Sequence, residues 1–135
     1  MDKRPPITVS SRDADRLGSL LDGMSEDQFP GKDELLAELD RARIVEPQDV
    51  PTNVVTMNSS VRFRVQSSER EFSLTLVYPR DQGEGTISIL APVGSALLGM
   101  TEGETIAWPK PGGGVLSLEI IEVTYQPERA GDFHR

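Results

Sequence analysis

The period of the hydrophobic pattern changes once along this chain, near Pro47, and that change limits the fold more than any other feature. Before it, apolar residues recur at helical spacing: Ala14, Leu17, Leu21 and Met24, with Leu20 widening the stripe. Ser10 is placed to cap this first helix, and Asp13 three residues later completes a capping-box-like pattern. Asp22-Gly23 and Pro30-Gly31 mark a loop. A second amphipathic segment follows, with Leu35, Leu36, Leu39 and Ala42 on one face and Asp33, Glu34, Glu38, Asp40, Arg41 and Arg43 around the rest. Pro47 stops it, and Pro51 keeps the connection extended. Two such helices with a short loop predict an antiparallel hairpin, a short coiled coil. At 1.5 Å per residue, a helix of about 13 residues reaches only ~20 Å.

After Pro51 the period becomes two. Val61, Phe63 and Val65 alternate with Arg62 and Arg64, and Phe72, Leu74, Leu76 and Tyr78 alternate with Ser73, Thr75 and Val77. Ile87 with Ile89, and Ile106 with Trp108, predict two short strands. The last strand reads Leu116, Leu118, Ile120 and then Ile121, Val123, Tyr125. That slip of phase predicts a β-bulge or burial on both faces. Pro111-Gly112-Gly113-Gly114 is expected to be a hairpin loop. It leads into a strand rather than a helix, so a phosphate cradle is disfavoured. Val93–Leu98 is the one helix candidate in this half. The fold class is therefore α+β: a helical hairpin over 1–46, a mostly antiparallel sheet wrapped on one short helix over 52–127, and a tail over 128–135.

Composition excludes several functions. The chain has no cysteine, and its single histidine, His134, lies next to the C-terminus. Thiolate chemistry, a Ser-His-Asp triad, a histidine metal site and a phosphohistidine are thereby disfavoured. No catalytic residue, metal or cofactor is expected, and the chain is not read as an enzyme. A net charge of −8 argues against direct nucleic-acid binding and against an anionic membrane surface. Arg62 and Arg64 form a small basic stripe whose default reading is a solvated face. No apolar run approaches the ~20 residues of a membrane span, and MDKRPPITVS lacks the apolar core of a secretory signal. A cytoplasmic location is expected.

Several spaced motifs in unbroken order, from Asn53 to Tyr125, resemble one family: NVVTMNSSVRFRV, ISILAPVGSALLG, the Glu102-Gly103 turn, PGGG and LSLEIIEVTY. They are similar to the C-terminal domain of the bacterial transcript-cleavage factors GreA and GreB. The short hairpin and the ending TYQPERAGDF resemble, more narrowly, the Rnk proteins, regulators of nucleoside diphosphate kinase. The resemblance implies an FKBP-like fold for the sheet domain. It also implies docking on RNA polymerase, at the rim of the secondary channel, on a coiled coil of the β′ subunit. The contact strand of that family leads into a Ser-x-x-x-Pro pattern, which implies Ser88, Leu90, Ala91 and Pro92 as docking residues. Ser88 and Pro92 keep the ends of the pattern; Leu90 and Ala91 replace the acid and serine of some members.

Gre factors carry an acidic pair at the hairpin tip that completes coordination of a second Mg²⁺ in the polymerase. The corresponding loop here holds Asp22, Glu26 and Asp27. Glu26 and Asp27 are adjacent rather than spaced, and the stalk is short. The reading is thus a polymerase-binding regulator that competes with Gre factors without stimulating transcript cleavage and influences nucleoside diphosphate kinase levels. The alternatives are a cleavage factor using the acidic tip, and a direct regulator of the kinase. Prolyl isomerase activity, raised by an FKBP-like fold, meets a chain with one tryptophan, two tyrosines and four phenylalanines.

Overall fold

The computed structural model describes residues 7–25, 27–29, 31–65, 70–109 and 113–131. Among the described residues the first element is a short strand, β1 (Thr8–Ser10), that runs into helix α1 (Ser11–Asp22). Helix α2 (Lys32–Arg41) runs into β2 (Arg43–Val45), which pairs in parallel with β1. Neither strand was expected from the pattern. Three residues carry no readable period, and the pairing joins positions more than 30 residues apart, Thr8 with Arg43 and Ser10 with Val45. The two strands tie the bases of the helices together.

Ser10 caps α1 as expected, its Oγ accepting the Asp13 N–H at 3.1 Å. The Asp13 side chain does not complete a capping box: it is buried, and its Oδ2 accepts the Met57 N–H at 3.1 Å. Leu17, Leu21 and Leu35 are fully buried, and Ala14, Leu20, Leu36, Leu39 and Ala42 pack partly against them. Glu38, expected on the solvent side, is buried and is bridged by Arg41 at 2.8 Å. At the tip Phe29 is buried, and Ser25 and Gln28 bond reciprocally: the Ser25 N–H to Gln28 Oε1 at 2.8 Å and the Gln28 N–H to Ser25 Oγ at 3.3 Å.

The second half is a five-stranded sheet. Its members are β3 (Ser60–Val65), β4 (Arg70–Val77), β5 (Thr86–Ser88), β6 (Thr105–Pro109) and β7 (Val115–Tyr125), in the order β5-β4-β3-β7-β6. All neighbours are antiparallel except β4 and β5. Ile89 lies just beyond β5, not inside it, and is fully buried. The phase slip in β7 is a bulge. Arg62 pairs with Glu122 and Phe63 with Ile120, so Ile121 has no partner on β3, and the core-facing set moves from Leu118 and Ile120 to Val123. Pro109 pairs with Val115 at the end of the β6–β7 ladder; Pro111 and Gly112 lie outside the described residues. One face of the sheet carries Val61, Phe63, Leu76, Ile106, Trp108, Leu118 and Ile120 into the core. Phe72 shares that face but is more than a third exposed, stacked on Phe63.

Short helix α3 (Pro92–Leu97), with Pro92 in its first turn, packs on β5, β6 and β7 and buries Ala96 and Leu97. The hydrophobic core is continuous: Ile7, Val9, Leu17 and Leu21 belong to the same cluster as Val55, Phe63 and Ile120. Gly99, at φ +77°, presses against Ile7, and its carbonyl accepts the Thr8 N–H at 3.5 Å. A buried Gln126 fastens the segment after β7 to the connection before β3. Its Nε2 donates to the carbonyls of Pro51 at 2.8 Å and Val54 at 2.7 Å.

Candidate docking surface

The turn between β5 and α3 gathers the four residues expected to form a docking surface. β5 is an edge strand, so the turn stands at one margin of the sheet. Ser88 is buried, and its Oγ accepts the Leu90 N–H at 3.0 Å while its carbonyl accepts the Ala91 N–H at 3.0 Å. Leu90, Ala91 and Pro92 are half-buried. Two residues not singled out as functional complete the turn. Ser95 is buried and donates its hydroxyl to the Ile89 carbonyl at 2.7 Å. Gly94 lies so close to the Ser88 carbonyl oxygen that a Cβ there would overlap it. A serine one turn into a helix that starts at a proline is the only signal the sequence offers for this.

The loop between α1 and α2 is built differently. Asp22 and Asp27 are both exposed, and Glu26 lies outside the described residues. Lys32 Nζ donates to the Met24 carbonyl at 2.7 Å, which places its charge inside the tip. Among the described residues, no group of three His, Cys, Asp or Glu side chains could hold a metal ion. His134 lies outside the described residues. Among the described residues no helix is long and apolar enough to cross a membrane.

The basic stripe is matched by acids on the neighbouring strands. Arg62 bonds Glu71 at 3.0 Å and Glu122 at 3.2 Å; Arg64 bonds Glu119 at 2.9 Å and Glu71 at 3.3 Å. Two arginines among three glutamates leave the face with no positive excess, so a phosphate backbone gains nothing there. Hydrogen bonds from Arg62 and Arg64 hold the Glu71 carboxyl below its usual range, and those from Arg62 to Glu122 and Glu71 push its guanidinium up.

The junction between helices and sheet holds the most perturbed group. Burial pushes the Asp13 carboxyl up from 3.8 to about 6, with the nearby Glu128 adding to it, while the Met57 N–H, Arg16 and Ser10 work the other way. The Tyr78 hydroxyl donates to Asp13 Oδ1 at 3.5 Å, and burial followed by the Asp13 charge pushes the phenol up. Glu128 in turn accepts the Thr56 hydroxyl at 2.8 Å, so two acids from distant parts of the chain grip the turn at 56–57. A cleft of about 490 Å³ opens beside this junction, lined by Arg16, Ser19, Leu20, Tyr78, Pro79 and Arg80.

A sheet of this order over one short helix, entered through a Ser-x-x-x-Pro turn and preceded by two short helices, defines a class, that of the Gre-type factors. Residues 50–125 match the family described as transcription elongation factor, GreA/GreB, C-term, and residues 5–45 match the Rnk N-terminus. The chain belongs to the Rnk family, the branch of this group in which that N-terminus precedes the GreA/GreB C-terminal domain. It is 45% identical over 132 residues to the regulator of nucleoside diphosphate kinase of Escherichia coli K12, covering 96% of this chain and 97% of that one. A solved structure, the prokaryotic transcription elongation factor GreA/GreB from Nitrosomonas europaea, aligns with a TM-score of 0.72 and 60% identity over 90% of this chain and 100% of that one. The transcription elongation factor GreA of Helicobacter hepaticus is 34% identical over 95 residues, which is 69% of this chain and 58% of that protein. These relatives are named as regulators and elongation factors, not as catalysts.

Proposed function

We propose that this chain is a transcription regulator that binds RNA polymerase at the entrance of the secondary channel and competes there with Gre factors without stimulating transcript cleavage. The observation that carries the reading is the β5–α3 turn, a hydrogen-bonded turn into a proline-led helix at the edge of a GreA/GreB-type domain. Ser88, Leu90, Ala91 and Pro92 are its docking residues, and the β′ coiled coil at the channel rim is its target. The division of labour follows the chain: a short coiled-coil hairpin over 1–46, an FKBP-like docking domain over 52–127 and a tail over 128–135. Such a partner places the protein in the cytoplasm.

The stalk supports the absence of cleavage activity. α1 has 12 residues and α2 has 10, so neither helix exceeds ~18 Å. An acid carried on so short a stalk falls well short of a metal deep in a channel, and the end of α1 and the described loop after it offer Asp22 and Asp27 as exposed carboxylates. Backtracked elongation complexes test this. The unmutated chain should suppress GreA-stimulated cleavage and leave intrinsic cleavage unchanged, and Pro92→Asp should lose the suppression, since it buries a charge against an apolar partner. Acceleration of cleavage that disappears in Asp22→Asn with Asp27→Asn would instead assign the tip a metal-binding role.

A second reading rests on the name carried by the relative from Escherichia coli, regulator of nucleoside diphosphate kinase. An influence on kinase levels follows from transcriptional control without direct contact. Parallel pull-downs against core polymerase and against the kinase separate the two: capture of the kinase alone would make the regulation direct.

A further inference from the structure

From Thr86 to Thr101 the chain carries no charged residue, in a protein where 27% of residues are charged. This stretch contains the whole β5–α3 turn. The nearest downstream acids are tied to backbone amides. Glu102 Oε2 accepts the Val123 N–H at 2.7 Å, and Glu104 Oε1 accepts the Thr101 N–H at 2.8 Å. Leu90, Ala91, Pro92 and Val93 thus present half-buried apolar side chains, over a floor of Ile89, Leu97 and Leu98 that is fully covered.

The turn is also held rigidly from within. The Leu90 N–H goes to Ser88 Oγ, the Ala91 N–H to the Ser88 carbonyl, the Ile89 N–H to the Val77 carbonyl at 2.9 Å and the Ser95 N–H to the Ala91 carbonyl at 2.9 Å. The Ile89 carbonyl takes the Ser95 hydroxyl. Gly94 lets the helix backbone close onto the Ser88 carbonyl. A segment whose N–H groups, those of Ile89, Leu90 and Ala91, are already paired loses little freedom on binding.

We propose that Ser88 and Ser95 are positioning residues that preform residues 90–92 as an uncharged knob, and that the polymerase surface it fits is apolar and engaged independently of salt. This rests on the docking reading above and specifies how that docking is recognised. Affinity then comes from apolar burial and preorganisation, not from charge pairing, which ionic strength screens.

The test measures binding of the full chain to core RNA polymerase at about 0.1 M and about 0.5 M KCl, across which the screening length of exposed charges roughly halves. The expected change in Kd is less than about threefold, and Leu90→Asp should weaken binding at both salts by more than about tenfold, as a charge buried against an apolar surface requires. Ser88→Ala should weaken binding by about two- to tenfold, the worth of one lost hydrogen bond, and speed exchange of the Leu90 amide; Ser88→Thr, which keeps the acceptor, should restore both. A Kd that rises about tenfold or more with salt overturns the apolar recognition and leaves the docking reading standing. Ser88→Ala binding like the unmutated chain overturns the positioning role. Absence of binding at either salt overturns the docking reading and this inference with it.

Discussion

Asp13→Asn is the substitution whose consequences follow most directly from the geometry. The carboxyl is 3% exposed, sits in the first turn of α1 and accepts the Met57 N–H from the other half of the chain. Burial raises its pKa from 3.8 to about 6, so the folded state holds the proton more tightly than the unfolded chain does. A raised acid contributes its stability fully below the unfolded value and loses it as pH climbs through the folded one. The separation between 3.8 and about 6 corresponds to about 3 kcal/mol at full ionisation. Between about pH 7.5 and about pH 4.5, partial titration recovers about 2 kcal/mol of it. Asparagine keeps an oxygen that accepts from Met57 but does not titrate. Urea unfolding of both proteins at the two pH values isolates the group, because the other carboxyls cancel in the difference. The unmutated chain should gain about 2 kcal/mol more than Asp13→Asn on acidification. Equal gains would refute the burial argument and show that the carboxyl meets water in solution.

Three further outcomes follow from the core and the strap. Leu35→Ala empties a fully buried site in a cluster shared by helices and sheet and should cost about 2–5 kcal/mol. Helical circular dichroism and the fluorescence of Trp108 should report the same shifted midpoint; separate midpoints would show that the two halves unfold independently. Gln126→Ala leaves the Val54 carbonyl without its side-chain donor and the Pro51 carbonyl with only the Val54 N–H at 3.3 Å, and should cost about 1–3 kcal/mol, measured by urea unfolding. Gly94→Ala forces a methyl onto the Ser88 carbonyl and should cost about 1–3 kcal/mol of overpacking, read as a lowered Tm.

The elements of this protein are local in origin, and most were legible in the sequence. Helical spacing placed α1 and α2, alternation placed β3, β4, β6 and β7, and the helix expected over Val93–Leu98 is α3, shifted by one residue to Pro92–Leu97. The Ile120-Ile121 slip announced the bulge because a period of two cannot change phase without an extra residue. Ser88, Leu90, Ala91 and Pro92 were found together through their resemblance to a motif, but the turn is also shaped by the Ser95 hydroxyl on the Ile89 carbonyl and by the close approach of Gly94 to the Ser88 carbonyl, which have no pattern of their own. Local pattern alone thus placed the helices and the longer strands, but not β1 and β2, and the motif marked Ser88 and Pro92 at the two ends of the β5–α3 turn. Tertiary structure decided the rest: the pairing of β1 with β2, the parallel placement of β5, the burial of Asp13 and Glu38, and the Gln126 strap. Each depends on what a residue meets from a distant part of the chain. Alternation and spacing report which face of an element is apolar; they carry no information about which distant amide, carbonyl or guanidinium will satisfy a polar group once that face is covered.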